Sequence, residues 1–131
     1  MCGNKEKIKI LIVDDEIDFL ESTGEVLERR GFDVYKLDRG SLVQSWLERD
    51  KFDIVLLDIK MPGKNGIDVL HRIKKRWPKM PIIIITGHGS LTQAFQMSKK
   101  GIADYIAKPF HIDDLVKSID TVTQKANNYK T

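Results

Sequence analysis

Three stretches of this chain are apolar at every position: Ile10-Leu11-Ile12-Val13, Ile54-Val55-Leu56-Leu57 and Ile82-Ile83-Ile84-Ile85. A strand with one wet face alternates apolar and polar residues, so an uninterrupted run needs cover on both faces. The runs are mostly β-branched and far too short to span a bilayer. They predict strands of a buried parallel sheet, with helices on both sides.

The segments between the runs carry the helices. Ile17, Leu20 and Leu27 recur at helical spacing, and Gly31 follows as a stop signal. Gly24 lies on the same stripe, where a mid-helix glycine costs about 1 kcal/mol in propensity. Residues 32–37 form the second strand, and Leu42, Val43, Trp46 and Leu47 mark a second helix. Residues 52–57 form the third strand, which runs straight into Asp58. A turn-rich Pro62-Gly63-Lys64-Asn65-Gly66 loop follows. Ile67, Leu70, Ile73 and Trp77 line a third helix, closed by Pro78. The fourth strand is Pro81 with the four isoleucines, and Leu91, Ala94 and Phe95 support a fourth helix. Asp104-Tyr105-Ile106-Ala107 is a short fifth strand, and Leu115, Ile119 and Val122 stripe a fifth helix. Five strands alternating with five helices predict a three-layer α/β sandwich.

The length of 131 residues suits one domain. Its expected bounds are a tail over residues 1–7, a folded unit over 8–125, and a tail or linker start over 126–131; residues 121–131 already read as polar and linker-like. The N-terminus lacks the apolar stretch of a signal peptide, and the single cysteine, Cys2, allows neither an internal disulfide nor a cysteine-based metal site. A cytoplasmic location and no membrane contact are the default expectation. The net charge of +3 is modest. The basic runs Lys74-Lys75-Arg76 and Lys99-Lys100 fall in helical segments without interleaved aromatics, so they read as solvated faces and not as a nucleic-acid surface.

In an open parallel sheet, ligands bind beyond the carboxyl ends of the strands. The first strand ends in Asp14-Asp15-Glu16, the third in Asp58, the fourth in Thr86-Gly87-His88-Gly89, and the fifth runs into Lys108-Pro109-Phe110. Asp14 or Asp15 alone would read as a helix cap. Together with Asp58 they form a like-charged cluster that a cation has to neutralise. An all-oxygen donor set suits Mg²⁺, with Mn²⁺ as a substitute, and no histidine–cysteine set favours zinc. Mg²⁺ beside an exposed aspartate points to phosphoryl transfer onto that carboxylate. Lys108 then supplies a second positive charge, and Thr86 a hydroxyl donor.

Asp14-Asp15, Asp58-Ile59-Lys60-Met61-Pro62 with Gly66 eight residues after Asp58, Thr86-Gly87 and Lys108-Pro109-Phe110 together resemble the receiver domain of bacterial two-component response regulators. Thr86-Gly87-His88-Gly89 and Ala107-Lys108-Pro109-Phe110 are similar to the nitrogen-regulator branch, whose receivers often precede a σ54-activating ATPase. The resemblance implies a flavodoxin-like (βα)5 fold with strand order 2-1-3-4-5. It makes Asp58 the phosphoacceptor and makes the side chains of Asp15 and Asp58, with the backbone carbonyl of Lys60, the Mg²⁺ ligands. Asp14 acts through a metal-bound water, and Thr86 and Tyr105 are the switch pair. Lys108 grips the phosphoryl group, with a cis bond to Pro109, and Gly87 leaves the space beside that group open. Lys60 and His88 occupy positions that tune hydrolysis of the acyl phosphate, although Lys60 reads equally well as a solvated loop lysine. Ser90 departs from the branch, where an acidic residue is common, and reads as a helix cap. His71 and His111 read as surface residues.

The implied partners are a sensor histidine kinase and an output domain or partner protein. The output contact is the face of the fourth helix, fifth strand and fifth helix, with Leu91, Tyr105 and Phe110 on it, and a homodimer on phosphorylation is a further expectation. The domain itself is expected to be a regulator of transcription and not an enzyme, catalysing only its own phosphorylation and dephosphorylation. Two alternatives are a phosphorylation-independent binding module on the same fold and an aspartate-based phosphatase of the haloacid dehalogenase type. The phosphatase wants Asp-x-Asp after the first strand and a cap domain, and this chain offers Asp14-Asp15-Glu16.

Overall fold

The computed structural model describes residues 7–61, 64–87 and 101–130. The elements are β1 (Lys9–Val13), α1 (Ile17–Arg29), β2 (Asp33–Leu37), a 3₁₀ turn (Gly40–Leu42), α2 (Val43–Arg49), β3 (Ile54–Asp58), α3 (Gly66–Arg76), β4 (Ile82–Thr86), β5 (Asp104–Ala107) and α4 (Ile112–Lys130). Helix α4 is the fifth helix of the sequence reading. The expected fourth helix, with Leu91, Ala94 and Phe95, lies outside the described residues, as do His88 and Ser90.

All five strands are parallel, in the order β2-β1-β3-β4-β5. The apolar runs occupy the centre, where every residue of β3 and β4 is buried. Their alternation splits the core in two. Leu11, Val13, Val55, Leu57, Ile82 and Ile84 pack with residues of α2 and α3. Ile10, Ile12, Ile54, Leu56, Ile83 and Ile85 pack with residues of α1 and α4. The three-layer sandwich is as the sequence predicts, and the strand order is the one the resemblance implies.

Local rules set the element ends. Helix α1 stops at Gly31, whose φ of +95° is the left-handed conformation that favours glycine. The N–H of Gly31 donates to Glu28 O at 3.0 Å and that of Phe32 to Leu27 O at 3.2 Å, which together satisfy the last carbonyls of the helix. Gly24 has a packing reason for its propensity cost. A Cβ there would lie 3.0 Å from Cδ of Lys36, whose chain crosses the helix and ends 3.2 Å from Glu21.

Two features differ from the sequence reading. The loop after β3 contains a two-residue antiparallel pair, Lys60–Met61 with Lys64–Asn65, where only a turn is expected. The polar stretch that reads as linker is helical through Lys130. Val122 and Thr123 are buried, and the Thr123 hydroxyl donates to Ile119 O at 2.8 Å, so the helix is packed past the point where its composition turns polar.

Candidate functional site

Four of the five strands, β1, β3, β4 and β5, each bring a chemical group to the carboxyl edge of the sheet. Strand β1 ends at Val13, and Asp14 follows, fully buried, with its N–H donating to Leu37 O at 3.0 Å. Asp58 is the last residue of β3 and is 4% exposed. Thr86 ends β4 and is fully buried. Lys108 follows β5, with its N–H donating to Thr86 O at 2.7 Å, and the bond to Pro109 is cis as the resemblance implies.

The Lys108 ammonium is the hub. Its Nζ lies 2.6 Å from Asp14 Oδ2, 3.0 Å from Glu16 Oε1 and 3.7 Å from Asp58 Oδ2. The Phe19 ring centroid closes another side at 4.0 Å. Phe110 in turn meets Phe19 edge-on at 6.0 Å, so its ring stands against α1. Burial, the largest influence on Lys108, pulls its pKa down. Hydrogen bonds to Asp14 and Glu16 and the charges of Asp14 and Asp58 outweigh it, leaving a net rise. Lys108 therefore stays charged at neutral pH.

One oxygen each of Asp14, Glu16 and Asp58 lie within 4.8 Å of one another. Glu16 enters this group through the turn. Asp14 Oδ1 accepts the Glu16 N–H at 2.9 Å and so fixes where that side chain begins. The sequence reading singles out Asp15 as the third carboxylate, whereas the compact group contains Glu16. Asp15 stands beside it, half-buried, with its carboxyl pushed above the ordinary range by burial first and then by the Asp14 charge. Three hard oxygen donors so close together fit a divalent cation such as Mg²⁺.

The rest of the expected set divides. Tyr105 is 43% exposed on β5. Tyr105 pairs with Ile84 and Ala107 with Thr86, so Tyr105 and Thr86 project to the same face of the sheet. The Thr86 hydroxyl donates to Gly87 O at a long 3.4 Å, and no atom of the described residues would lie within 4 Å of a Cβ on Gly87. The Lys60 backbone belongs to the short antiparallel pair, its side chain and His88 being outside the described residues. His71 and His111 are exposed, as expected. Gly66 is a demanded glycine. Its Cβ would fall 2.4 Å from Ile59 Cα and 2.8 Å from Asp58 O, directly behind the acidic site.

This fold and edge define a class of protein. The chain belongs to the response regulator receiver domain family, whose pattern matches residues 10–120. It is 34% identical over 88% of its length to the C4-dicarboxylate transport transcriptional regulatory protein DctD of Rhizobium meliloti, and 40% identical over 83% to a putative NtrX-like response regulator of Rickettsia bellii. It spans only 25% and 23% of those regulators. Among solved structures, a receiver domain protein from Clostridium thermocellum superposes with TM-score 0.87 at 34% identity, covering 92% of this chain and 98% of that one. NtrX from Brucella abortus superposes with TM-score 0.90 at 27% identity, covering 95% of this chain and 29% of that one. The similarity to NtrC, NtrX and DctD regulators agrees with the branch that the motifs suggest. Among the described residues, no helix is long and apolar enough to cross a membrane.

Proposed function

We propose that this chain is a phosphorylation-dependent switch in which Asp58 accepts a phosphoryl group from a sensor histidine kinase or a small acyl phosphate. The observation that carries the reading is Lys108, held 3.7 Å from Asp58 while bonded to Asp14. An Asp58 carboxylate oxygen attacks phosphorus as the bond to the donor's oxygen or nitrogen breaks, and the electron pair leaves with the donor. Lys108 stabilises charge on the phosphoryl oxygens, and the open space beside Gly87 admits the group. Mg²⁺, or Mn²⁺ in its place, would neutralise charge here, held by Asp15 and Asp58, the Lys60 carbonyl, and Asp14 through water.

The phosphoryl oxygens accept a hydrogen bond from Thr86, which gives up its long contact to Gly87 O. Tyr105, exposed on the same sheet face, moves inward and alters the surface offered to an output domain or partner protein. Lys60 and His88 set the lifetime of the acyl phosphate. Regulation of transcription, a cytoplasmic location and dimerisation on phosphorylation complete the reading by analogy with the relatives.

Intact mass after incubation with acetyl phosphate and Mg²⁺ tests it. One added phosphoryl group is expected in the wild type, and none in Asp58→Asn or without the metal. An unmodified wild type would reject the switch and leave a phosphorylation-independent binding module.

A further inference from the structure

Lys108 is committed elsewhere before any phosphoryl group arrives. An ammonium has three donors. One meets Asp14 at 2.6 Å and a second meets Glu16 at 3.0 Å, while Asp58 at 3.7 Å is beyond a hydrogen bond. The Phe19 ring blocks retreat on another side. The two short bonds leave one donor over, and to bring it from 3.7 Å to hydrogen-bond distance of Asp58 the ammonium has to shift toward that carboxylate, which lengthens one of the two.

The two bonds are unequal. Asp14 is fully buried and anchored through its second oxygen to the Glu16 N–H. Leaving it without its partner would strand a buried charge. The Glu16 side chain is 65% exposed, so water replaces a lost contact at little cost. We infer that Glu16 is a positioning residue that holds Lys108 just short of hydrogen-bond distance from Asp58 in the unmodified protein and so restrains its phosphorylation. This inference rests on the switch reading above for its consequence, but the tether itself does not depend on it.

Two substitutions separate reach from charge. Glu16→Gln removes the charge-assisted bond. Glu16→Asp keeps the charge and withdraws it by one methylene. A tether that works by geometry predicts that both variants take up phosphoryl from acetyl phosphate about fivefold faster than wild type, the equivalent of one lost exposed ionic contact. The second readout is the ammonium resonance of Lys108 in metal-free, ¹⁵N-labelled protein, assigned by its absence in Lys108→Met. Its protons should exchange with water faster in both variants. Unchanged exchange in Glu16→Gln would overturn the tether, and so would Glu16→Asp matching wild type in both readouts. If the wild type takes up no phosphoryl at all, the switch reading fails and the exchange measurement still decides the tether.

Discussion

The Lys108 N–H donates to the Thr86 carbonyl at 2.7 Å, so the residue that contacts Asp58 and the residue proposed to report on it share a backbone bond. Their strands are in register through Thr86 and Ala107. The hydroxyl of one and the ammonium of the other are thus carried to the acidic edge by one hydrogen-bonded strand pair.

Removing the ammonium should expose what it neutralises. Lys108→Met is expected to cost about 2 kcal/mol at pH 7 in metal-free urea unfolding, below the usual toll for a fully buried pair because Glu16 is wet. The pKa of Lys108 is raised in the folded state. Its contribution is therefore complete below the ordinary lysine value of about 10.4 and is lost as pH rises through the folded value. The gap between wild type and variant should hold through neutral pH and narrow only in strong alkali. A gap that already closes at pH 8 would contradict the assignment.

Asp15 has the opposite sign. Its folded pKa is raised, so its carboxylate destabilises the native state above that value, and the penalty fades as pH falls toward the unfolded value. Asp15→Asn should gain roughly 0.5 kcal/mol at pH 7 without metal, an amount typical of a relieved surface repulsion. The gain should shrink on acidification. If Asp15 is a ligand, ~10 mM Mg²⁺ should reverse the ranking by stabilising the wild type alone. Thermal melts in both buffers at two pH values measure all of this.

Gly24 and Gly66, where an added Cβ would lie 3.0 Å or less from another atom, should respond in opposite directions. At Gly24 the nearest obstacle is the middle of the flexible Lys36 chain, so Gly24→Ala gains helix propensity and should stabilise by about 0.5 kcal/mol. At Gly66 the obstacles are backbone atoms of Asp58 and Ile59, so Gly66→Ala should cost about 3 kcal/mol, at the high end for overpacking. Paired urea titrations decide it, and equal effects at the two sites would contradict this difference in surroundings.

The central strands were legible because burial on both faces leaves no polar residue in them, a pattern no surface strand imitates. Asp58 and Lys108 were legible because strand ends in a parallel sheet share one edge. Glu16 was not. Its membership depends on the Asp14 Oδ1 bond to its own N–H, a turn detail that an acidic triplet does not encode. The end of α4 was missed for a different reason. Polar composition resembles a linker, yet Thr123 is buried beside the expected Val122 and the helix runs on to Lys130, so packing outweighs composition there. Phe110, which the sequence reading sets on the output face, has its ring edge-on to Phe19 of α1, a contact that spacing along the chain does not encode.

Asp14 and Lys108 are 94 positions apart in the chain and meet at 2.6 Å. Between them, β3 and β4 have to be laid down before β5 has an edge to join. During synthesis on the ribosome, the acidic residues emerge long before the lysine that completes their site. If Asp58 is the acceptor proposed above, a nascent chain carries that carboxylate without its grip until the last strand has docked. The site that brings Asp14, Asp58 and Lys108 together is complete only when the sheet is.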